Sequence, residues 1–271
     1  MTGQDNFNHK NDVPQVLMSI LAKQKAIFLP LYLKCIEQLD YPKSAIHLHV
    51  RTNNNTDNTE ALLREWLDRV GPLYASFEFS TQDVPERVEL YGVHEWNPVR
   101  FKVMGRLRDE SQRRATERAY QFYFVVDVDN FIRPETLREL AALNLPIVAP
   151  LLRMVSSNDP YSNFHAAVDE NGYYKEVPHY HVLLHRRIRG IIEVPVVHCT
   201  YLVQADVISR LTYQDRSERH EYIVFSDVAR VQEITQYLDN RSVYGYILFD
   251  NKDPVRLLKE LFEVETLLRP Q

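Results

Sequence analysis

Residues 122–130 read FYFVVDVDN, and the fold turns on them. Phe122, Tyr123, Phe124, Val125 and Val126 show no polar alternation, the pattern of a central strand buried on both faces of an α/β sheet. The run ends in Asp127 and Asp129, one residue apart. In an extended segment these two side chains point the same way, while Val128 points back into the protein. Ligands of such sheets bind beyond the carboxyl ends of the strands, where this pair would stand. Two adjacent unpaired carboxylates repel, which favours a functional reading. The bland alternative is a strand-end turn, with Asn130 as a further turn residue.

Upstream, QVLMSIL at 15–21 reads as a first buried strand, followed by a helix to Leu39 with Pro30 near its first turns. IHLHV at 46–50 is a second strand, ending in the polar loop RTNNNTDN at 51–58. Asp57 and Glu60 have capping-box spacing, and Leu62, Leu63, Trp66, Leu67 and Val70 mark the face of the next helix. This junction presents backbone N–H groups that suit a nucleotide or phosphate, although any βα unit is built this way. LYASFEF at 73–79 reads as a third strand and 81–96 as a polar loop. Pro98 opens a long helix to about Tyr120, carrying Arg100, Arg106, Arg108, Arg113, Arg114 and Arg118. Most of these should be solvated surface, but Arg100 and Arg108 lie eight residues apart, close to one helical face, so a subset could reach a ligand at the sheet edge. The order β-α-β-α-β-α-β, with right-handed crossovers, builds a largely parallel sheet flanked by helices.

Downstream, 134–143 reads as a short helix and PIVA at 146–149 as another buried strand. Tyr161, Phe164, Tyr173, Tyr174 and Tyr180 then crowd together with His165, His179, His181 and His185 in a loop-rich segment ending in HRRIRG. Such a segment suits stacking on a carbohydrate or nucleobase, and equally a small antiparallel sheet packed on the domain. No closed set of four zinc ligands stands out. EVPVVHCTYLVQ at 193–204 is a strand region with His198 in its middle, and 217–232 reads as a helix with His220 and Glu221 early in it. Glu221 suits either a favourable first-turn charge or a general base. A strand at 243–249 and an amphipathic helix at 254–268 close the chain.

With 271 residues and no internal repeat or linker, the chain is expected to form a single domain over 1–271, with a disordered polar lead at 1–13. Its 45% hydrophobic and 25% charged residues are those of a soluble globular protein. No stretch has the length and apolarity of a membrane span or the form of a signal peptide, which points to a cytoplasmic protein. A net charge of −5 gives no general preference for nucleic acid. Cys35 and Cys199 lie in apolar stretches and read as reduced, buried thiols.

Taken together, NTDNT-x-x-LLREWL, WNPVRF-x-VM-x-RLR, FVVDVDN, APLL, YSNF, GYYK and VPVVH-x-T-x-LV, in that order, make the chain resemble the N-terminal glycosyltransferase domain of the procollagen galactosyltransferase family and its microbial relatives. The resemblance covers about 15–247. It implies a GT-A nucleotide-diphospho-sugar transferase fold, with a Rossmann-like, mostly parallel sheet and a small antiparallel sheet on the acceptor side. It implies further that Asp127 and Asp129 hold a divalent metal bridging the phosphates of a UDP-sugar, and hard oxygen ligands of this kind suit Mn²⁺ or Mg²⁺. Lys23 and Asn53 fall at positions lining the nucleoside pocket, and Arg100 and Arg106 match basic residues that approach the diphosphate. Tyr161, Asn163, His165 and His198 fall in matching segments and are candidates for the sugar and acceptor pocket. Glu221 takes the place of the general base of inverting relatives, with His220 where the family carries another acid.

Two departures stand out. Relatives carry a late metal-binding histidine, but this sequence has none after His220, leaving Asp250 or Asp253, water, or no third ligand. The animal relatives act in the secretory pathway, whereas Asn54-Asn55-Thr56 is a glycosylation sequon inside the proposed nucleotide loop. Collagen is therefore not the expected acceptor; a microbial glycan, a lipid-linked precursor or a cytosolic protein is. The leading expectation is a metal-dependent, inverting glycosyltransferase. The second is a degenerate domain that binds nucleotide sugar or a protein partner without turnover, and a third is a phosphohydrolase with Asp127 as nucleophile.

Overall fold

The structure is a computed structural model that describes residues 13–92, 95–154 and 160–248. The residues expected to form the polar lead up to 12 and the closing helix at 254–268, together with Asp250 and Asp253, lie outside the described residues.

The chain opens with β1 (Val16–Ala22), α1 (Leu29–Glu37), β2 (Ile46–Thr52), α2 (Thr59–Val70) and β3 (Ser76–Ser80). The long helix α3 (Pro98–Glu117) leads into β4 (Phe122–Val126), followed by β5 (Asn130–Ile132), α4 (Thr136–Leu143), β6 (Ile147–Pro150) and β7 (Leu152–Met154). The remainder comprises β8 (Phe164–His165), α5 (Pro178–Leu184), β9 (Ile191–Glu193), β10 (Val196–Val197), β11 (Thr200–Gln204), α6 (Ala205–Ile208), α7 (Glu221–Val231), β12 (Gln236–Asp239) and β13 (Gly245–Ile247).

Among the described residues, eight strands form the main sheet in the order β3-β2-β1-β4-β11-β6-β12-β9. β1 to β4 run parallel. β11 is antiparallel to both its neighbours, so β6 and β12 return to the direction of β1. Edge strand β9 is again reversed. Beside this sheet lie an antiparallel pair, β8 with β10, and a three-stranded sheet, β5-β13-β7.

The missing polar alternation of β4 has a direct cause, because each face of the strand feeds a separate core. Phe122, Phe124 and Val126 pack with α1 and α2 residues such as Tyr32, Leu63 and Trp66. Tyr123 and Val125 pack on the other side with Tyr201, Leu183 and Phe225. Burying each such side chain contributes about 1.5–3 kcal/mol. Both faces are dry, so neither admits a polar residue.

Several boundaries differ from the sequence reading. The third strand starts at Ser76 rather than Leu73, because Gly71–Leu73 forms a 3₁₀ turn that leaves Leu73 exposed. Asp57 does not cap α2 in a box. Its carboxylate is shared between the Thr59 N–H at 3.0 Å and the Ala26 N–H at 3.1 Å, tying two loops together. The region 193–204 is interrupted rather than continuous, and the interruption includes Cys199 in the left-handed conformation at φ 64°. Finally, α7 starts at Glu221, because His220 has the extended ψ of 141°.

The helix α3 is held at its start and again near its middle. Pro98 occupies its first turn, and Asn97 Oδ1 accepts the Arg100 N–H at 3.1 Å, a cap worth about 0.5–2 kcal/mol. Farther along, Asp109 accepts from Thr212 Oγ1, the Tyr213 N–H and Gln214 Nε2 at 2.7–2.8 Å. Gly105 allows this approach, since a Cβ there would stand 2.6 Å from the Tyr213 carbonyl oxygen.

Candidate functional site

Where β4 ends, hydrogen bonds fix the turn that carries the two acids. The Asp127 N–H donates to the Cys199 carbonyl at 2.9 Å, and the Asn130 N–H donates to the Asp127 carbonyl at 3.0 Å. Asn130 Nδ2 donates to Thr200 Oγ1 at 2.8 Å. Both carboxylates open into a cleft of about 510 Å³. Lys23, Asn53 and Arg100 line it, as do Tyr161, His198 and Glu221. Eight sequence-predicted residues, Asp127 and Asp129 included, thus converge on one cleft.

Arg108 lies at the centre of this group, with 4% of its side chain exposed. Its Nη2 donates to Asp127 Oδ1 at 2.8 Å, and its Nε lies 3.6 Å from Glu221 Oε1. Burial works against the guanidinium charge, but Asp127 and Glu221 outweigh it and hold Arg108 well above its ordinary value. Burial also raises Asp127, with Arg108 opposing and Asp129 reinforcing the shift. The guanidinium at 2.8 Å cannot surrender its proton, so it opposes protonation of Asp127.

Glu221 is the first residue of α7, where the helix dipole favours a carboxylate. Burial raises its pKa and Arg108 opposes that rise. Its Oε2 is buried without a hydrogen-bond partner, as is Nε2 of His198. Burial, and then His165, His220 and Arg108, hold His198 well below its ordinary value, so its ring is neutral. Glu221 and His198 both line the cleft, and a carboxylate oxygen and a neutral imidazole nitrogen without a protein partner are competent to bond a hydroxyl group.

On the other side of the cleft, Lys23 is lowered by burial and then by neighbouring Arg100. Arg100 itself donates to the carbonyls of Gly92 and Glu95 at 2.7 and 2.9 Å, and its guanidinium lies 4.6 Å from the Trp96 ring centroid. Asn53 is buried, with Nδ2 donating to Asn54 Oδ1 at 2.9 Å.

Three predicted residues stand elsewhere. Arg106 forms a two-pronged pair with Glu86, at 2.6 and 2.9 Å, on the side of α3 away from Arg108. Asn163 is fully buried and joins strands: Oδ1 accepts the Leu152 N–H at 3.0 Å and Nδ2 donates to the Pro150 carbonyl at 2.8 Å. His165 lies behind the wall, edge-on to His198 and Tyr222.

The sequence reading left Lys25, Cys199 and Tyr222 out of the site and gave Arg108 only as one of the arginines able to reach a ligand at the sheet edge. For Arg108 a signal existed. Phe101, Gly105, Arg108, Gln112 and Ala115 are buried at alternating spacings of four and three, so an arginine sits within the inward stripe of the helix. Cys199 has no such signal. It is a free thiol whose pKa burial raises well above the ordinary value, and it accompanies His198 Nδ1 at 2.9 Å.

The two acids fit a hard divalent cation. Asp127 engages Arg108 through Oδ1 and Asp129 engages Lys25 through Oδ2, contacts that use one oxygen of each. Among the described residues no three His, Cys, Asp or Glu side chains gather to hold a metal. Two carboxylates with phosphate oxygens and water are the usual set for Mg²⁺.

Residues 13–268 match the sequence model of glycosyltransferase family 25, N-terminal domain. The chain belongs to this family. Human procollagen galactosyltransferase 2 is 36% identical over 267 residues, covering 95% of this chain and 42% of the relative. A bovine relative named probable inactive glycosyltransferase 25 family member 3 is 32% identical, over 87% of this chain and 40% of its own. The family 25 chain described here therefore spans less than half the length of these relatives. Among solved structures, S. aureus TarS 1-349 in complex with UDP-GlcNAc aligns at TM-score 0.57 and 11% identity, over 95% of this chain and 68% of that one. The mannosyltransferase PcManGT from Pyrobaculum calidifontis, in complex with GDP-Man and Mn²⁺, aligns at 0.55 and 15%, over 89% and 58%. The fold is that of GT-A glycosyltransferases. No helix among the described residues is long and apolar enough to cross a membrane.

Proposed function

We propose that this family 25 domain transfers a sugar from a UDP-sugar to a hydroxyl acceptor, with inversion and with a divalent cation at Asp127 and Asp129. The observation that carries the reading is the single cleft in which Arg108 joins Asp127 at 2.8 Å to Glu221 at 3.6 Å. When bound, Mn²⁺ or Mg²⁺ would neutralise the charge that develops on the departing diphosphate.

The chain's own residues do the rest. Lys23 and Arg100 add positive charge along the side of the cleft that also carries Asn53. Glu221 Oε2 takes the proton of the acceptor hydroxyl as its oxygen bonds to the anomeric carbon and the bond from that carbon to the phosphate oxygen breaks. Arg108 opposes the rise that burial gives Glu221, and neutral His198 orients the hydroxyl without competing for its proton.

Incubating the protein with Mn²⁺, candidate UDP-sugars and saccharide, peptide and lipid-linked acceptors tests this. Glu221→Gln is expected to slow transfer by about 10²–10⁴-fold while UDP binding persists. The anomeric configuration of the product, read by NMR, should be opposite to that of the donor. Full-speed transfer by Glu221→Gln would remove the base from the mechanism. The bovine relative, named probable inactive, supports a second reading, a domain that binds its donor without turnover. That reading predicts UDP binding with no transfer to any acceptor.

A further inference from the structure

The polar tract at 55–59 spends side chains on the loop that follows β1. Gln24, left-handed at φ 53°, donates its N–H to Asn55 Oδ1 at 3.0 Å, and its Oε1 accepts the Thr56 N–H at 2.8 Å. The Lys25 N–H donates to Thr59 Oγ1 at 2.7 Å, and the Ala26 N–H to Asp57 Oδ2 at 3.1 Å. Three consecutive backbone N–H groups after β1 are therefore pinned by one tract. With its backbone fixed, Lys25 places Nζ 2.8 Å from Asp129 Oδ2 and 4.8 Å from the Phe28 ring centroid. The two side chains are only 22% and 15% exposed, so solvent and salt screen the pair weakly. Asp127 has its own cation in Arg108. Each acid of the pair thus already carries one positive partner.

We propose that Lys25 is a built-in counter-ion of Asp129 that makes divalent-metal binding conditional on the diphosphate of the donor. The inference rests on the reading of Asp127 and Asp129 as the metal acids. In the free protein a divalent cation must share Asp129 with the ammonium on its Oδ2 and sit beside two positive charges, Lys25 and Arg108. A diphosphate changes both terms: its oxygens add negative charge next to the acids, and they give the Lys25 ammonium a new partner within the sweep of its flexible stem. Metal and nucleotide then bind with positive coupling, and the coupling is reciprocal. The tract from Asn55 to Thr59 gains a role of its own, holding the base of this lever still.

Titration of the full chain with Mn²⁺, followed by the EPR signal of the free aquo ion with and without UDP, tests the inference on wild type, Lys25→Met and Lys25→Arg. Wild type should bind Mn²⁺ at least about ten-fold more tightly with UDP than without. Lys25→Met should bind Mn²⁺ alone about ten-fold more tightly than wild type does, with the UDP effect correspondingly smaller. Lys25→Arg keeps the charge and should keep the coupling. If Lys25→Met binds Mn²⁺ alone no better than wild type while both bind Mn²⁺ with UDP, the counter-ion role is overturned and the donor site stands. If no form binds Mn²⁺ even with UDP, the metal reading itself falls, and this inference with it.

Discussion

Arg106 and Arg108 stand two residues apart on α3, and the two faces of that helix treat them oppositely. On the outer face Arg106 pairs with Glu86 and remains 38% exposed. On the inner face Arg108 is 4% exposed and answers to two acids of the cleft. Residue type and local charge density are the same for both. What separates them is about 200° of helical rotation, which turns one toward water and the other toward the end of β4.

That contrast breaks most visibly at Arg108. Arg108→Met should cost about 3–5 kcal/mol of stability, read by urea unfolding, because buried Glu221 and half-buried Asp127 are left without their cation. A loss below about 1 kcal/mol would mean the pair is as well solvated as a surface one. The next largest effect belongs to the packing that holds the inner face in place. Gly105→Ala brings a Cβ to 2.6 Å from the Tyr213 carbonyl oxygen, and a loss of about 1–3 kcal/mol is expected by the same measurement. An unchanged midpoint would show that the 212–214 loop yields freely.

The inner face was partly legible in sequence, and the reasons are local. The unbroken apolar run 122–126 announced a strand with two dry faces, and the acids behind it fell at its carboxyl end as expected. Glu221 was legible through its place at a helix start. Arg106 pairs with Glu86 instead of lining the cleft, and basic residues on both faces of α3 look alike until the inward stripe is traced through Gln112 and Arg108. Asn163 stands at a strand junction and His165 in a buried ring contact, because the chemistry that suits a sugar also suits those places. Lys25 and Cys199 owe their places to a left-handed residue each, Gln24 and Cys199 itself, and neither conformation is written in side-chain periodicity.

Protonation sharpens the comparison further. Glu221 is raised by burial, so transfer should rise with pH through a limb lying above the ordinary glutamate value of 4.5, and Glu221→Gln should abolish that limb. His165 and His220 are held at about 4 by burial, against 6.5 ordinarily. The unfolded chain therefore takes up these protons at higher pH than the folded one. Their stabilising effect is full above pH 6.5 and is lost as pH falls toward 4, so unfolding free energy should decline across that window and His165→Gln should flatten part of the decline. The smallest effect is on the outer face. Arg106→Gln should change stability by less than about 1 kcal/mol and leave UDP affinity unaltered; a ten-fold weaker affinity would return Arg106 to the donor site.

The central claim is that Asp127 and Asp129 form a metal-dependent donor site. Calorimetric titration of the protein with UDP, first with Mn²⁺ and then with EDTA, tests it directly. The account predicts binding with Mn²⁺ that EDTA and Asp127→Ala each abolish. Equal UDP binding in EDTA and in Asp127→Ala would contradict it.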